Sequence, residues 1–370
     1  YTVAESKELI APLSLAMMAM LLALTANISM NTLVGSFEIT LKNWLDARLY
    51  ADIYIRPPND KIVATETLLA QQPKVTEIYG QWLHSSQYQH TPVSLMTRDE
   101  HSLRNSNQMK AQIDNLWPQF FQGKALMISE PMAIKYRLKV GDTVSLPEFE
   151  SAKQPPLPIG AIFYDYGNPL GQVIVSQHTW HQLNLPNNPS SIAASYDGDI
   201  AELEQVLQQQ VPLSAAQMYN QAKIKQRALE IFKRTFSITL VLNSLTLMVA
   251  AIGLFSACLM LTKARQAPLA RLYALGVSRT QLRSLVSLQM LLIVLFTCLL
   301  ALPSGALLGY LLINKVTLQA FGWSIAMVWD WQAYFRVVAI ALAASALAVL
   351  LPLYWQTRKP LVSSLQQEAL

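Results

Sequence analysis

Apolar residues along this chain collect in four long runs separated by stretches of ordinary soluble character. The runs are about Leu9 to Phe37, Phe236 to Leu261, Leu285 to Ile313 and Val337 to Trp355, and none contains Asp, Glu, Lys, Arg or His. A helix needs about 20 mostly apolar residues to cross about 30 Å of hydrocarbon, so the pattern predicts four transmembrane helices. Between the first two runs, about Leu49 to Arg234, the pattern becomes that of a folded domain. Ala51 to Pro57 alternates like a strand, Ile62 to Gln72 has helical spacing, and Val75 to Trp82 alternates again. Ala125 to Pro147 reads as a strand, a helix opening at Ser129 with Pro131 in its first turn, and a Gly141-Asp142 turn into another strand. The segments beginning at Ile159 and Gln172 supply two more strands, and Ile200 to Gln210 another helix.

The expected fold is therefore an α-helical membrane protein with four transmembrane helices and an inserted α+β extracytoplasmic domain. The division runs 1–50 (first span and stalk), 51–219 (domain), 220–262 (stalk and second span) and 263–284 (cytoplasmic segment). It continues with 285–313 (third span), 314–336 (short loop) and 337–370 (fourth span and tail). Glu38 to Tyr50 and Asn220 to Phe236 keep helical periodicity beyond the bilayer, as stalks that transmit motion or as membrane-proximal helices that only hold the domain up.

Charge sets the orientation. Lys263, Arg265, Arg271, Arg279 and Arg283 lie between the second and third spans with no acidic residue among them, and Arg358 and Lys359 follow the fourth. The positive-inside bias places this segment and both termini in the cytoplasm and the large domain on the other side. Trp323, Trp329 and Trp331 read as an interfacial belt. The net charge of +5 is thereby a matter of topology, and no nucleic-acid partner is expected. Charged residues are only 14% and hydrophobic residues 52%. The two cysteines, Cys258 and Cys298, both lie in apolar runs, so the domain has no disulfide of its own. A start at Tyr1 without Met fits a piece of a longer polypeptide, and no cleavable signal peptide is evident.

Motifs for chemistry are few. Gln122 to Leu126 lacks the spacing of a phosphate-cradling loop, and no hydrolase or zinc-protease pattern occurs. His178 and His181 have a metal-ligand spacing but no acidic or cysteine partner nearby, so a surface helix start is the preferred reading and no metal site is expected. Spans without ionisable residues argue against ion-coupled transport. Asn27 and Asn31, one turn apart, and Asn243 read as interhelical hydrogen-bonding residues or, less simply, a substrate path. Gly305 and Gly309 after Pro303, and Ala339, Ala343, Ala346 and Ala348, supply small-residue faces for packing within the bundle or against a second such membrane module.

The segment from Lys263 to Val286 suits either a short amphipathic helix with a turn at Gly276 or an amphipathic loop on lipid headgroups, and Ser278 would cap the next helix. Here a resemblance enters. Ala270 to Leu291, Ala125 to Pro147 and the terminal Lys359 to Glu368 resemble the FtsX/MacB/LolC-like permeases of ABC transporters (type VII). Ala26 to Pro57 resembles the second half of double-length members. The resemblance implies a non-enzymatic permease in the inner membrane, its domain periplasmic, with no cofactor of its own because ATP and Mg are bound by a partner ATPase. It implies an ATPase-coupling site at Arg265, Pro268, Arg271, Leu272, Leu275, Gly276 and Arg279. Further implied partners are a second permease module or chain, a periplasmic partner or lipoprotein, and membrane lipid. Two positions depart from the pattern: Pro268 and Gln289 stand where the family commonly has Glu. The rival reading is a membrane scaffold or sensor that recruits periplasmic partners without transport.

Overall fold

The computed structural model describes residues 2–264 and 277–356. The chain opens with one unbroken helix, α1 (Thr2–Arg48), followed by strand β1 (Ile53–Ile55), helix α2 (Ile62–Gln71) and the hairpin β2 (Val75–Tyr88) and β3 (Thr91–Arg98). Then come α3 (Glu100–Ser106), β4 (Met109–Gln112), α4 (Leu116–Phe121), β5 (Leu126–Ser129), α5 (Glu130–Tyr136) and β6 (Thr143–Val144). The domain closes with α6 (Pro147–Ser151), β7 (Leu157–Phe163), β8 (Gln172–Ile174), α7 (Gln177–Gln182), β9 (Ser191–Tyr196), α8 (Ile200–Gln210) and β10 (Met218–Asn220). Three further long helices follow: α9 (Gln221–Ala264), α10 (Arg279–Leu311), and, after a π-helical turn and the short α11 (Leu318–Phe321), α12 (Trp331–Gln356).

Two compact units result. The first holds residues 1–37, 233–315 and 326–370, and the second residues 38–232 and 316–325. Helices α1 and α9 each pass from one unit into the other without a break. Among the described residues, three helical stretches are long and apolar enough to cross a membrane: Met17–Arg48, Gln221–Gly253 and Leu291–Phe321. Within α12 the apolar stretch is the shorter Tyr334–Ala344.

The second unit is built on a ten-stranded sheet ordered β10-β1-β9-β2-β3-β8-β5-β7-β4, with β6 paired to β7. The β3–β8 and β5–β7 pairs are parallel and the others antiparallel. Successive side chains on a strand point to opposite faces, and both faces are apolar here. Leu95, Leu126, Ile128 and Val173 join one core with Met132, Phe149 and Trp180, while Met96, Met127 and Ile174 join another with Leu103, Phe120 and Phe163. Strand β2 extends beyond the alternation at Val75 to Trp82 because it pairs along its second half with β3, from Gln81 opposite Arg98 to Tyr88 opposite Thr91. The tight turn uses Gln89 (φ 46°) and His90 (φ 64°) in the left-handed region. Neither is the Asn or Gly that usually signals such a turn.

Ser129 stands at the start of α5, with Pro131 in the first turn as its spacing predicts, but its hydroxyl makes no cap. It accepts instead from the backbone N–H of Gln172 on β8 (2.9 Å). Gly141 adopts φ +95° in the turn into β6, where the Asp142 carboxylate accepts from the Lys139 backbone N–H at 2.7 Å. Asp199 caps α8 through Ala201 (2.9 Å).

Residues 316–325 are the part of this unit that local patterning does not reveal. Trp323 is buried, its ring centroid 4.7 Å from that of Tyr166, and the Tyr166 hydroxyl donates to the Ser324 carbonyl (3.3 Å). The fully buried Glu130 accepts from the Ser324 backbone N–H (3.1 Å) and hydroxyl, and pairs with Lys110. Trp323 is thus packed within the α/β unit, whereas Trp329 and Trp331 are exposed and stack at 6.2 Å. The physical reason is that a buried carboxylate must be hydrogen-bonded, and Ser324 supplies two of its donors.

Replacing Glu130 by Ala should cost about 2 kcal/mol through lost charge-assisted hydrogen bonds. The expected readout is a lower thermal midpoint together with a red-shifted Trp323 emission, the latter isolated in a variant in which the other tryptophans are Phe. An unshifted emission would show that Glu130 does not hold this segment in place.

Candidate functional site: a small-residue helix seam and the entry to the third span

Helix α1 carries residues at four-residue spacing, Leu24, Ile28, Thr32 and Ser36, all buried. Such residues share one helix face. Opposite them on α10 stand Gly305 and Gly309. A Cβ added at Gly305 would lie 2.7 Å from the Ile28 Cβ and 3.2 Å from the Thr25 carbonyl. One added at Gly309 would lie 3.2 Å from the Thr32 Cβ. The two backbones therefore approach as closely as glycine allows. Around this seam Met20, Ala23, Leu24 and Ile28 pack with Ala250 of α9, with Val294, Cys298 and Ala301 of α10, and with Tyr334, Val337 and Ala341 of α12. Cys298 is a buried free thiol.

Polar groups stitch α1 to the other helices. The Thr32 hydroxyl donates to the Ile28 carbonyl (2.7 Å) and lies 2.7 Å from the Tyr334 hydroxyl. A hydroxyl has one proton, so Tyr334 donates to Thr32. The Asn31 amide donates to the Asn27 side-chain oxygen (2.9 Å), and the Asn27 amide donates to the backbone carbonyl of Asn243 on α9 (3.1 Å). The Asn243 amide nitrogen is buried and has no hydrogen-bond partner among the described residues. Ser36 accepts from the backbone N–H of Val328 (3.0 Å). Thr32, Ser36 and Tyr334 were not singled out in the sequence. The signal that would have found them is the matched spacing, Ile28-x-x-x-Thr32-x-x-x-Ser36 facing Gly305-x-x-x-Gly309.

Helix α10 begins with a capping box. The Ser278 hydroxyl accepts from the Gln281 backbone N–H (3.3 Å), and the Gln281 side-chain oxygen accepts from the Ser278 backbone N–H (3.1 Å). Two otherwise orphaned donors are thereby satisfied. Arg279 is the first residue of α10, whose first turn holds no acidic residue. Arg265, Pro268, Arg271, Leu272, Leu275 and Gly276 lie outside the described residues. His178 and His181 both fall on α7, where the His178 ring nitrogen meets the Gln182 amide (3.0 Å). No group of three or more metal-ligating side chains is assembled among the described residues.

The described geometry is that of a membrane-type helical unit joined by two continuous helices to a mixed α/β unit. Residues 240–361 match the FtsX-like permease C-terminal family. The chain as a whole is homologous to the uncharacterised ABC transporter permease protein Rv0987 of Mycobacterium tuberculosis, at 24% identity over 96% of this chain. The chain spans 43% of that relative's length. Among solved structures, the extracellular domain of the noncanonic ABC-type transporter YknZ from Gram-positive bacteria has 12% identity and a TM-score of 0.32, covering 46% of this chain and 98% of that one. The periplasmic region of MacB from Actinobacillus actinomycetemcomitans has 13% identity and a TM-score of 0.32, covering 48% and 90%.

The seam yields a sign test. Alanine is favoured over glycine in an exposed helix interior by up to about 1 kcal/mol, so Gly253→Ala, where an added Cβ meets nothing within 4 Å, should leave the thermal midpoint in detergent unchanged or raised. Gly305→Ala should lower it, by an overpacking cost of about 1–3 kcal/mol. Equal behaviour of the two variants would mean that Gly305 does not set the approach of α1 and α10.

Proposed function

We propose that the chain is a permease module of an ABC transporter of the FtsX/MacB type, with four membrane-spanning helices and no hydrolytic activity of its own. A separate ATPase binds ATP and Mg, and engages the basic segment at 263–284 from the cytoplasm. Movement of that segment passes to α9 on one side and α10 on the other. Because α1 and α9 continue without a break into the α/β unit, and residues 316–325 after α10 are docked there through Glu130 and Trp323, displacement of the spans is read out as motion of a periplasmic domain. The inner membrane is the expected location, with both ends of this segment cytoplasmic. A second permease module or chain would complete the unit, and a periplasmic partner or lipoprotein would receive the motion.

The observation that carries this reading is the FtsX-like permease match over residues 240–361, which brackets the basic segment. With Pro268 and Gln289 in place of the common carboxylates, the contact depends on Arg265, Arg271 and Arg279 and on the apolar Leu272 and Leu275 beside Gly276. The scaffold reading leaves that basic segment without a role.

In a reconstituted complex, Leu272→Asp, Leu275→Asp or Gly276→Val should abolish the permease's stimulation of ATP hydrolysis while the protein still inserts and purifies normally. Full stimulation in all three would refute coupling through this segment.

A further inference from the structure

Within the α/β unit a cavity of about 340 Å³ is lined by Arg48, Arg56 and Arg98, by Tyr54 and Tyr219, and by the apolar Leu49 and Ile224. Arg98 is 4% exposed. One of its terminal nitrogens donates to the Ser106 hydroxyl (2.9 Å), but its buried Nε has no partner among the described residues. Arg48 donates to neutral acceptors, the side-chain oxygens of Asn107 and Gln172, both at 3.3 Å. Among the described residues no ion pair joins Arg48, Arg56 or Arg98 to a carboxylate. Asp165 is the nearby buried carboxyl group; one of its oxygens accepts from the Gly167 backbone N–H (3.0 Å) and the other has no partner among the described residues. Two guanidinium groups against one carboxylate leave the interior with an excess of positive charge, and Arg56, over the Tyr219 ring at 5.7 Å, adds a third cation.

We propose that this cavity binds a small ligand carrying one oxyanion group, a carboxylate or phosphate, beside a compact apolar or aromatic portion. Guanidinium groups are the side chains best suited to planar and tetrahedral oxyanions, which they engage through parallel N–H donors. A buried donor left unmade is costly, and an oxyanion would satisfy the Arg98 Nε and offset the repulsion between Arg48 and Arg98. Burial, and then the neighbouring Arg48, push the Arg98 guanidinium down to about 9, against the opposing pull of Tyr50, Tyr54 and Asp165. It therefore remains cationic at neutral pH. The Tyr54 hydroxyl accepts from the Ala51 backbone N–H (3.0 Å) and is pushed up to about 12 by burial, so it keeps its proton as a further donor. Tyr219, Leu49 and Ile224 define where the apolar portion lies. This inference uses only the α/β unit and stands whether or not the chain couples to an ATPase.

The test is calorimetric titration of the full chain in detergent with inorganic phosphate, benzoate and dihexanoyl-phosphatidylglycerol. At least one probe should bind saturably with a Kd below about 1 mM. Arg98→Gln should weaken it tenfold or more, as expected for loss of a charge-assisted contact. Arg56→Gln, at an exposed position that leaves the fold intact, should weaken it severalfold and keeps the test decisive if Arg98→Gln fails to fold. Binding of phosphate or benzoate assigns the site to a soluble anion, and binding of the short-chain lipid alone assigns it to a headgroup. No saturable binding by any probe, or equal binding by wild type and Arg56→Gln, overturns the proposal.

Discussion

The close approach of α1 to α10 is the constraint on which the helical unit depends. Lipid tails are as apolar as leucine, so helices in a membrane gain little from hiding apolar surface from water, and association rests on packing and interhelical hydrogen bonds. Gly305 and Gly309 remove the side chains that would hold the two backbones apart, and Ile28 and Thr32 fill the space. The same face of α1 then meets α12 through Thr32 and Tyr334, and an adjacent face meets α9 through Asn27 and the Asn243 carbonyl. One helix thus organises the other three. The outer faces of α9 and α10 leave Val241, Leu245, Val249, Leu292, Phe296 and Leu299 exposed.

The α/β unit solves a different problem. Its central strands β5, β7 and β8 are buried on both sides, so its core is conventional, but it also holds charges where water is scarce. Glu130 is neutralised by Lys110 and bonded by Ser324, and burying a charge in this way is tolerable only when such partners are present. Arg48 and Arg98 are not matched in the same manner. The contrast in one unit lies between a carboxylate with a charged partner and guanidinium groups that meet only neutral acceptors among the described residues.

Four apolar runs were legible because a membrane span announces itself by composition over about 20 residues, and three of the helices meet that standard of length and hydropathy in the fold. The cap at Ser278 was legible for a similar reason, since Ser-x-x-Gln is a local signature. What escaped depended on distant partners or on unusual local choices. Trp323 and Ser324 dock through Glu130, 194 residues away from Ser324 in the chain, and no local pattern records that. The β2–β3 hairpin turns on Gln89 and His90 in place of Asn and Gly, so its second strand went unseen. Arg98 ends a strand of ordinary alternation, and only the fold places it beside Arg48. The basic segment was conspicuous by charge, but most of its residues lie outside those described.

The central claim, that this chain is the permease of an ATP-driven machine, is tested most directly by purifying the full-length protein from its native membrane in mild detergent and identifying what co-elutes. The account predicts a stoichiometric partner that binds ATP through a Walker A motif and is lost when Arg271 and Leu275 are replaced together. A fully folded, membrane-inserted protein that co-elutes with no ATPase would contradict it and favour a scaffold.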